Sequence, residues 1–284
     1  MYKRLIYLFM VASSTVMAAE NCPKTCSKYN VHKSWKLGIQ TWSFRNFTLF
    51  EAIDKTHALG LDTIQAYPGQ QISKEIDVEF GNGLTTEQCQ KIKAKLQETN
   101  MSIAAFGVVD IPDNEADARK LFEFAKEMGI GIIVSEPAPE QFDLIDKLCQ
   151  EYKIKLAIHN HPKPSYYWNP DTVVEVCKGR SKWIGACADV GHWVRSGFDP
   201  VECLKKLQGR INDVHIKEVD DKSENRIFGD AQNHVEDALK ELHRQKYKGT
   251  FAIEYESNWD NNMPDIQKSI CFFNSVAAKL AKNE

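Results

Sequence analysis

Residues 154–164 read IKLAIHNHPKP, an apolar run that ends in two histidines and a turn. In a β-strand, side chains two positions apart lie on the same face, so Ala157, His159 and His161 would share one face. A buried strand that ends by presenting two imidazoles in one direction indicates that something near its end uses them. What that is depends on which other segments of the chain reach the same place.

Seven further segments are also short apolar runs, and longer helical patterns separate them. The eight strand candidates are residues 37–44, 61–67, 101–109, 129–136, 154–161, 183–190, 211–218 and 250–256. Strands that alternate with helices form a parallel sheet with right-handed crossovers, and eight such units in about 250 residues fit a closed (β/α)8 barrel in a single domain. A doubly wound open sheet is the alternative, but it normally has fewer strands, and no G-x-G-x-x-G motif follows the first strand.

The beginning of the chain has the pattern of a secretory signal peptide. Residues 1–19 start with the basic MYKR, continue with the apolar LIYLFMVASSTVM and end on AA. The apolar run is too short for a membrane span, so no stable membrane insertion is expected. We therefore expect an N-terminal tail at 20–35, a barrel at 36–284 and an exported, periplasmic protein. A lipoprotein anchored at Cys22 is the alternative, although the preceding residue fits a lipidation signal poorly.

The composition is that of an ordinary globular protein. The 284 residues are 43% hydrophobic and 26% charged, which is enough for one sizeable core. The net charge is −3, and no block of basic residues occurs, so a nucleic-acid partner is not expected. The oligomeric state has no signal in the sequence.

The eight cysteines divide into a close pair and six scattered residues. Cys22 and Cys26 form a C-x3-C pair that could close a local disulfide in an oxidising compartment. The other six lie mostly in amphipathic helical patterns and are expected to be buried thiols. They are Cys89, Cys149, Cys177, Cys187, Cys203 and Cys271.

Strands five to eight of the expected barrel each end in an ionisable side chain, namely His159, Asp189, His215 and Glu254. In a (β/α)8 barrel the carboxyl ends of the strands line the active site, so these four should converge. A single strand-end histidine is more often a structural residue, but four such groups at one mouth are costly unless a cation compensates them. Two imidazoles and two carboxylates suit one divalent metal ion, Mn²⁺, Zn²⁺, Co²⁺ or Fe²⁺, and are too rich in nitrogen for a dedicated Ca²⁺ site.

Other residues follow the same strand ends. Lys217 and Glu256 share faces with His215 and Glu254, and could contact a substrate or simply pair with each other. Tryptophans near the ends of several strands would rim the mouth and offer the flat apolar surface that suits the C–H face of a sugar ring, although each could instead only pack its loop. They are Trp42, Trp168, Trp193 and Trp259.

These motifs resemble the xylose-isomerase-like barrel superfamily of sugar phosphate isomerases and epimerases, which includes D-tagatose 3-epimerase, hydroxypyruvate isomerase and, more distantly, endonuclease IV. The resemblance covers nearly all of the chain from Leu37 and is most specific at ADVGHW, DVHIKE and FAIEYESNW, while HNHP is similar to exported Bacteroidetes-type members. It implies one metal held by Glu, Asp, His and Glu from strands five to eight. The last three match Asp189, His215 and Glu254, and His192 matches a histidine that contacts substrate.

At strand five the sequence departs from that pattern, because His159 stands where the family has glutamate. In the epimerase-like members two metal-bound glutamates flank the substrate carbon, one removing a proton and the other returning it on the opposite face. Only Glu254 remains here, which puts inversion by two carboxylates in doubt. His161 or Lys217 is the candidate partner, and Lys217 or His192 would hold the enediolate charge.

The resemblance implies a metal-dependent isomerase or epimerase that acts on a keto or aldose sugar through an enediolate. Export and the lack of a Gly-rich phosphate cradle favour an unphosphorylated sugar. The lost glutamate leaves a second hypothesis open, a lyase or hydratase that acts on 3-keto sugars or glycosides by the same chemistry. A non-catalytic sugar-binding barrel is the third, and phosphodiester cleavage is disfavoured by the negative net charge and the single metal cluster.

Overall fold

The structure is a computed structural model, and it describes residues 32–232 and 234–282. The predicted signal peptide, most of the predicted tail and the Cys22–Cys26 pair lie outside the described residues. Within the described part, no helix combines the length and the apolar character that crossing a membrane requires.

Eight parallel strands close into a barrel, which confirms the (β/α)8 prediction and excludes the open sheet. Each strand pairs with its neighbours in the chain, and the first strand pairs with the last. The strands are β1 (Trp35–Gln40), β2 (Thr63–Ala66), β3 (Ser102–Phe106), β4 (Ile132–Ser135), β5 (Lys155–His159), β6 (Ile184–Asp189), β7 (Ile211–Ile216) and β8 (Gly249–Ile253). A two-stranded antiparallel hairpin, Glu218–Val219 with Asn225–Arg226, follows β7.

Nine helices surround the barrel in the described residues. They are α1 (Leu49–Ala58), α2 (Thr86–Glu98), α3 (Glu115–Glu127), α4 (Phe142–Tyr152), α5 (Pro170–Cys177), α6 (Val190–Arg195), α7 (Pro200–Lys206), α8 (His234–Arg244) and α9 (Met263–Ala281). Local sequence sets several of their starts, because Thr48 before α1 and Thr85 before α2 each form a reciprocal capping box with the residue three positions on.

Two strand ends differ from the prediction. Strand β1 stops at Gln40, and Thr41–Phe44 form a turn of 3₁₀ helix, so Trp42 does not end a strand. The short helix α6 starts directly after Asp189, so β6 ends one residue before the predicted strand at 183–190 does. Both changes redirect aromatic residues that the strand pattern had placed at the barrel mouth.

The barrel interior is filled with small apolar side chains, including Ala105, Val134, Ala157 and Cys187. The larger apolar residues lie between the strands and the helices. Because this packed layer closes the middle of the barrel, the polar residues above it at the carboxyl ends of the strands form a floor rather than a channel.

Five of the six scattered cysteines are buried thiols, as predicted: Cys89, Cys149, Cys177, Cys187 and Cys203. The prediction is wrong for Cys271, which is disulfide-bonded. Its helical pattern did not reveal a covalent partner, because a disulfide depends on which segment packs against the helix.

Candidate active site

The side chains of His159, Asp189, His215 and Glu254 converge at the carboxyl end of the barrel. Each offers one nitrogen or oxygen atom, and these four atoms lie within 4.8 Å of one another. All four residues are buried. Their convergence follows from strand position, since β5, β6, β7 and β8 are neighbours in the barrel and end at the same level.

Two buried atoms of this group, His159 Nε2 and Asp189 Oδ2, have no hydrogen bond, although Asp189 Oδ2 has an ion-pair contact of 3.0 Å with Lys217 Nζ. The two buried atoms lie 3.5 Å apart. The other carboxylate oxygen of Asp189, Oδ1, accepts the backbone N–H of His192 at 2.8 Å, so the residue caps α6 and Oδ2 turns into the site. Asn160 fixes the Asp189 backbone with two hydrogen bonds of 2.9 Å. His159 Nε2 is thus a buried imidazole nitrogen without a hydrogen-bond partner that faces a carboxylate oxygen, an arrangement that a cation would complete.

His215 is oriented by a chain of polar residues inside the barrel. Gln65 Nε2 donates to Asp213 Oδ2 at 2.5 Å, which leaves Gln65 Oε1 to accept from His215 Nε2 at 2.8 Å. With the proton on Nε2, the Nδ1 atom carries a lone pair and lies 3.0 Å from Glu254 Oε2. A hydrogen bond to one ring nitrogen of a histidine fixes the tautomer and leaves the other nitrogen available to a metal. Gln65 is not among the predicted site residues, and its only signal in the sequence is a polar side chain inside a buried strand.

Lys217 brings a positive charge to the same carboxylates. Its Nζ atom is 3.0 Å from Asp189 Oδ2, 3.0 Å from Glu254 Oε2 and 3.3 Å from Glu256 Oε2. Burial lowers the pKa of Lys217, but these three carboxylates outweigh burial and raise it above its usual value. The side chain is 1% exposed and is therefore a fixed ammonium group.

His192 lies on α6 beside this ammonium group. Burial holds the pKa of His192 well below its usual value, so the ring is neutral. Arg195 Nη1 lies 3.1 Å from Nδ1, and Lys217 Nζ lies 3.4 Å from Nε2, so a cationic donor faces each ring nitrogen. That Nε2 is 3.6 Å from Asp189 Oδ2. Glu256 holds Arg195 at 2.6 Å and also pairs with Lys217, as the simpler of its two interpretations predicted.

Glu136 is an acidic residue of the site that is not among the predicted site residues. It follows β4, and its Oε1 atom lies 3.3 Å from His159 Nδ1 and in hydrogen-bond contact with His161 Nδ1. The fourth predicted strand, residues 129–136, ends at Glu136, so its position at a strand end is a signal of the same kind as those at strands five to eight. His161, by contrast, lies just beyond β5 with 48% of its side chain exposed.

The predicted aromatic rim is only partly present. Trp193 is 1% exposed and packs in the hydrophobic core, so its predicted rim position is wrong; α6 turns its side chain inward. Trp42 and Trp259 hold the Arg45 guanidinium carbon 5.0 Å and 3.7 Å from their ring centroids. Trp168 stacks on a phenylalanine with ring centroids 5.3 Å apart. The half-buried tryptophans thus have partners on at least one face.

Chemically, the site combines a buried set of nitrogen and oxygen ligands, a fixed ammonium group, a neutral imidazole beside it, and an accessible histidine. These groups can bind a cation and stabilise negative charge that develops next to it. One exposed imidazole can exchange a proton with a bound molecule.

A family profile described as Xylose isomerase-like TIM barrel matches residues 53–276. No curated protein sequence matches the chain. A putative uncharacterized protein from Parabacteroides distasonis is 34% identical, with 85% of this chain and 99% of that chain covered and a TM-score of 0.71.

Two more distant structures share the fold. A D-tagatose 3-epimerase-like protein is 18% identical over 87% of this chain and 99% of that chain, with a TM-score of 0.69. A Xylose isomerase-like TIM barrel protein from Mycobacterium smegmatis, in complex with magnesium, is 16% identical over 89% of this chain and 99% of that chain, with a TM-score of 0.69. The profile match spans most of the barrel, and the chain belongs to the xylose isomerase-like TIM barrel family.

Proposed function

We propose that this protein is a metal-dependent isomerase or epimerase that acts on a small unphosphorylated keto or aldose sugar. The observation that carries the proposal is the convergence of four ligand atoms within 4.8 Å, among four buried residues that include His159, whose Nε2 has no hydrogen-bond partner. Membership of a family with sugar-processing members supports a carbohydrate ligand.

His159, Asp189, His215 and Glu254 are the proposed ligands of one divalent ion. Mn²⁺, Zn²⁺, Co²⁺ and Fe²⁺ suit this mixture of imidazole and carboxylate. Bound there, the ion would polarise a sugar carbonyl and its neighbouring hydroxyl and so acidify the adjacent C–H group.

The proton transfers are assigned to Glu254 and His161. Glu254 carries a carboxylate at the floor of the site, while His161 reaches the same region from the exposed side, with its ring centroid 5.3 Å from that of His192. Lys217 is held as an ammonium ion, so it stabilises the negative charge of the enediolate rather than accepting the proton. His192, whose Nε2 lies 3.4 Å from Lys217 Nζ, is the proposed substrate contact beside this ammonium group.

The second candidate is a lyase or hydratase that acts on 3-keto sugars or glycosides. It is favoured by the position of His161, which is half-exposed and hydrogen-bonded to a carboxylate. After Glu254 removes the proton next to the carbonyl, a protonated His161 could give its proton to a departing oxygen. The released alcohol and the enone together account for the atoms of the substrate.

One experiment separates these functions. The protein is loaded with each of the four metals and incubated in D₂O with unphosphorylated ketoses, aldoses and 3-keto-glucosides, and the products are followed by NMR. Deuterium at carbon in a sugar of unchanged skeleton supports the isomerase or epimerase, whereas an enone with a released aglycone supports the lyase. Metal-dependent binding with neither product indicates a non-catalytic sugar-binding barrel and contradicts the proposal.

The site assignment has its own control. Asp189→Ala and Glu254→Ala should each lose bound metal, measured by mass spectrometry after gel filtration. Asp199→Ala removes a helix-capping aspartate of α7 outside the site and should retain it. Unchanged metal content in both site variants would refute the ligand assignment.

We also propose that the protein is exported to the periplasm, because its first residues have the signal-peptide pattern. The disulfide at Cys271 supports this proposal, since disulfides persist in oxidising compartments. Mass spectrometry of the mature protein from a periplasmic fraction should find the chain cut near residue 19, and an uncut cytoplasmic chain would contradict it.

A further inference from the structure

The carboxylate of Glu136 contacts two histidines at once. Its Oε1 atom accepts from Nδ1 of His159 at 3.3 Å and from Nδ1 of His161, and it also accepts the backbone N–H of His161 at 3.2 Å. The other oxygen, Oε2, accepts from Ser165 Oγ at 2.6 Å. Four hydrogen bonds thus hold the carboxylate in one orientation between β4 and the loop after β5.

This contact determines where the two imidazoles carry their protons. An ionised carboxylate oxygen only accepts hydrogen bonds, so each Nδ1 atom that faces it must carry the hydrogen. In the neutral form of each ring, Nε2 then has the lone pair. For His159 this is the buried atom that lacks a partner and faces Asp189 Oδ2 at 3.5 Å.

The two rings are close enough for one carboxylate to serve both. Their centroids are 4.3 Å apart, and the two Nδ1 atoms are separated by 3.3 Å. Two nitrogens that both carry a hydrogen cannot bond to each other, so they need the acceptor that lies between them. Glu136 Oε1 is that acceptor, and it contacts both Nδ1 atoms.

We propose that Glu136 is a positioning residue that fixes the tautomers of both histidines, so that His159 presents Nε2 to the cation and His161 presents Nε2 to the sugar. The part that concerns His161 rests on the proposed function, whereas the part that concerns His159 rests only on the ligand cluster. His159 stands where the family has a glutamate. In this protein the carboxylate of Glu136, from the neighbouring strand end, hydrogen-bonds to the Nδ1 atom of that histidine.

The first test measures the tautomers directly. In metal-free protein labelled with ¹⁵N-histidine, long-range ¹H–¹⁵N correlations should show Nδ1–H with an unprotonated Nε2 for both rings at a pH where they are neutral. His159→Gln and His161→Gln assign the signals. A proton on Nε2 of His159 would overturn the proposal.

The second test measures metal affinity by competition with a chromophoric chelator, using Mn²⁺ and Zn²⁺ alone. Glu136→Leu removes both acceptor oxygens and should weaken binding about 10–100-fold, the usual effect of losing a hydrogen-bond partner that orients a metal ligand. Glu136→Gln keeps one acceptor oxygen and should recover part of the loss. Glu140→Leu changes an exposed glutamate four residues along the chain and should bind metal as the parent does.

Thermal unfolding of each variant shows whether it is folded. A folded Glu136→Leu protein whose metal affinity is within twofold of the parent would refute the role at His159. With metal saturating, Glu136→Leu should lower kcat more than it changes KM, and an unchanged kcat would refute the role at His161. If no sugar is turned over by the parent protein, the proposed function fails while the tautomer and affinity results still decide the role at His159.

Discussion

Lys217→Met should make the stability of this protein strongly dependent on a divalent metal. The unbranched methionine side chain preserves most of the volume of the lysine and removes its charge. In the parent, Lys217 Nζ lies 3.0 Å from one oxygen each of Asp189 and Glu254, and the pKa of both carboxyls is held well below its usual value. At an effective dielectric constant of about 20, one such contact corresponds to a gross attraction of about 5 kcal/mol.

The net loss is smaller than the gross attraction, because the carboxylates can take up a proton or reorient. Removing one partner of a buried ion pair typically costs about 3–5 kcal/mol, and we expect that loss in metal-free protein. For a domain of this size it corresponds to a fall in Tm of about 6–20 °C. A bound divalent cation would neutralise the same two carboxylates, so saturating metal should reduce the difference between variant and parent to less than half.

The assay is thermal or urea unfolding followed by circular dichroism, in EDTA and in excess Mn²⁺ or Zn²⁺. Lys178→Met is the matched control, because this lysine pairs with Glu175 at the surface with 65% of its side chain exposed. It should change the free energy of unfolding by less than about 0.5 kcal/mol in either condition. Lys217 is not the main counter-charge of these carboxylates if metal-free Lys217→Met unfolds with a free energy within about 1 kcal/mol of the parent, or if metal leaves the difference between the two proteins unchanged.

Three further predictions concern the fold. Burial raises the pKa of Glu218 to about 7 from its usual 4.5, so between these pH values the folded protein holds a proton that the unfolded chain releases. The free energy of unfolding should therefore fall as the pH rises from about 4.5 to 7, by an amount on the order of 3 kcal/mol. Urea titrations at several pH values should show a weaker fall in Glu218→Gln, and an equal fall in both proteins would contradict this. Gly185→Ala would place a Cβ atom 2.3 Å from the carbonyl oxygen of Arg210 and should cost at least about 1–3 kcal/mol, whereas Gly131→Ala meets no atom within 4 Å and serves as the calorimetric control. Thr48→Ala removes the cap of α1 and should cost about 1 kcal/mol in urea unfolding, a loss that Thr48→Ser should largely restore.

The sequence predicted the architecture because barrel strands and helices have short-range signals. Each strand is a brief apolar run, and the alternation with helical periods leaves few ways to arrange eight parallel strands. Strand ends were less well defined. The pattern extended β1 as far as Phe44, although hydrogen bonding stops at Gln40. An apolar run can continue into a 3₁₀ turn that is just as buried.

The four proposed ligands could be selected from the sequence because each occupies a strand end, and barrel topology brings strand ends together. Their orientation could not be selected in this way. Gln65 reaches His215 across the barrel interior from β2, and Glu136 reaches His159 from β4. Such contacts join residues 150 and 23 positions apart in the chain, and no local pattern encodes them.

By itself, the sequence determined that the chain forms a parallel barrel and that ionisable side chains gather at its carboxyl end, since both follow from periodicity and strand direction. Only the tertiary structure decided which of those side chains are already paired, which nitrogen of each imidazole is free, and that Trp193 faces the core. Those properties depend on distances of about 3 Å between groups from different strands and loops, because the strength of a hydrogen bond or ion pair changes steeply with distance in that range.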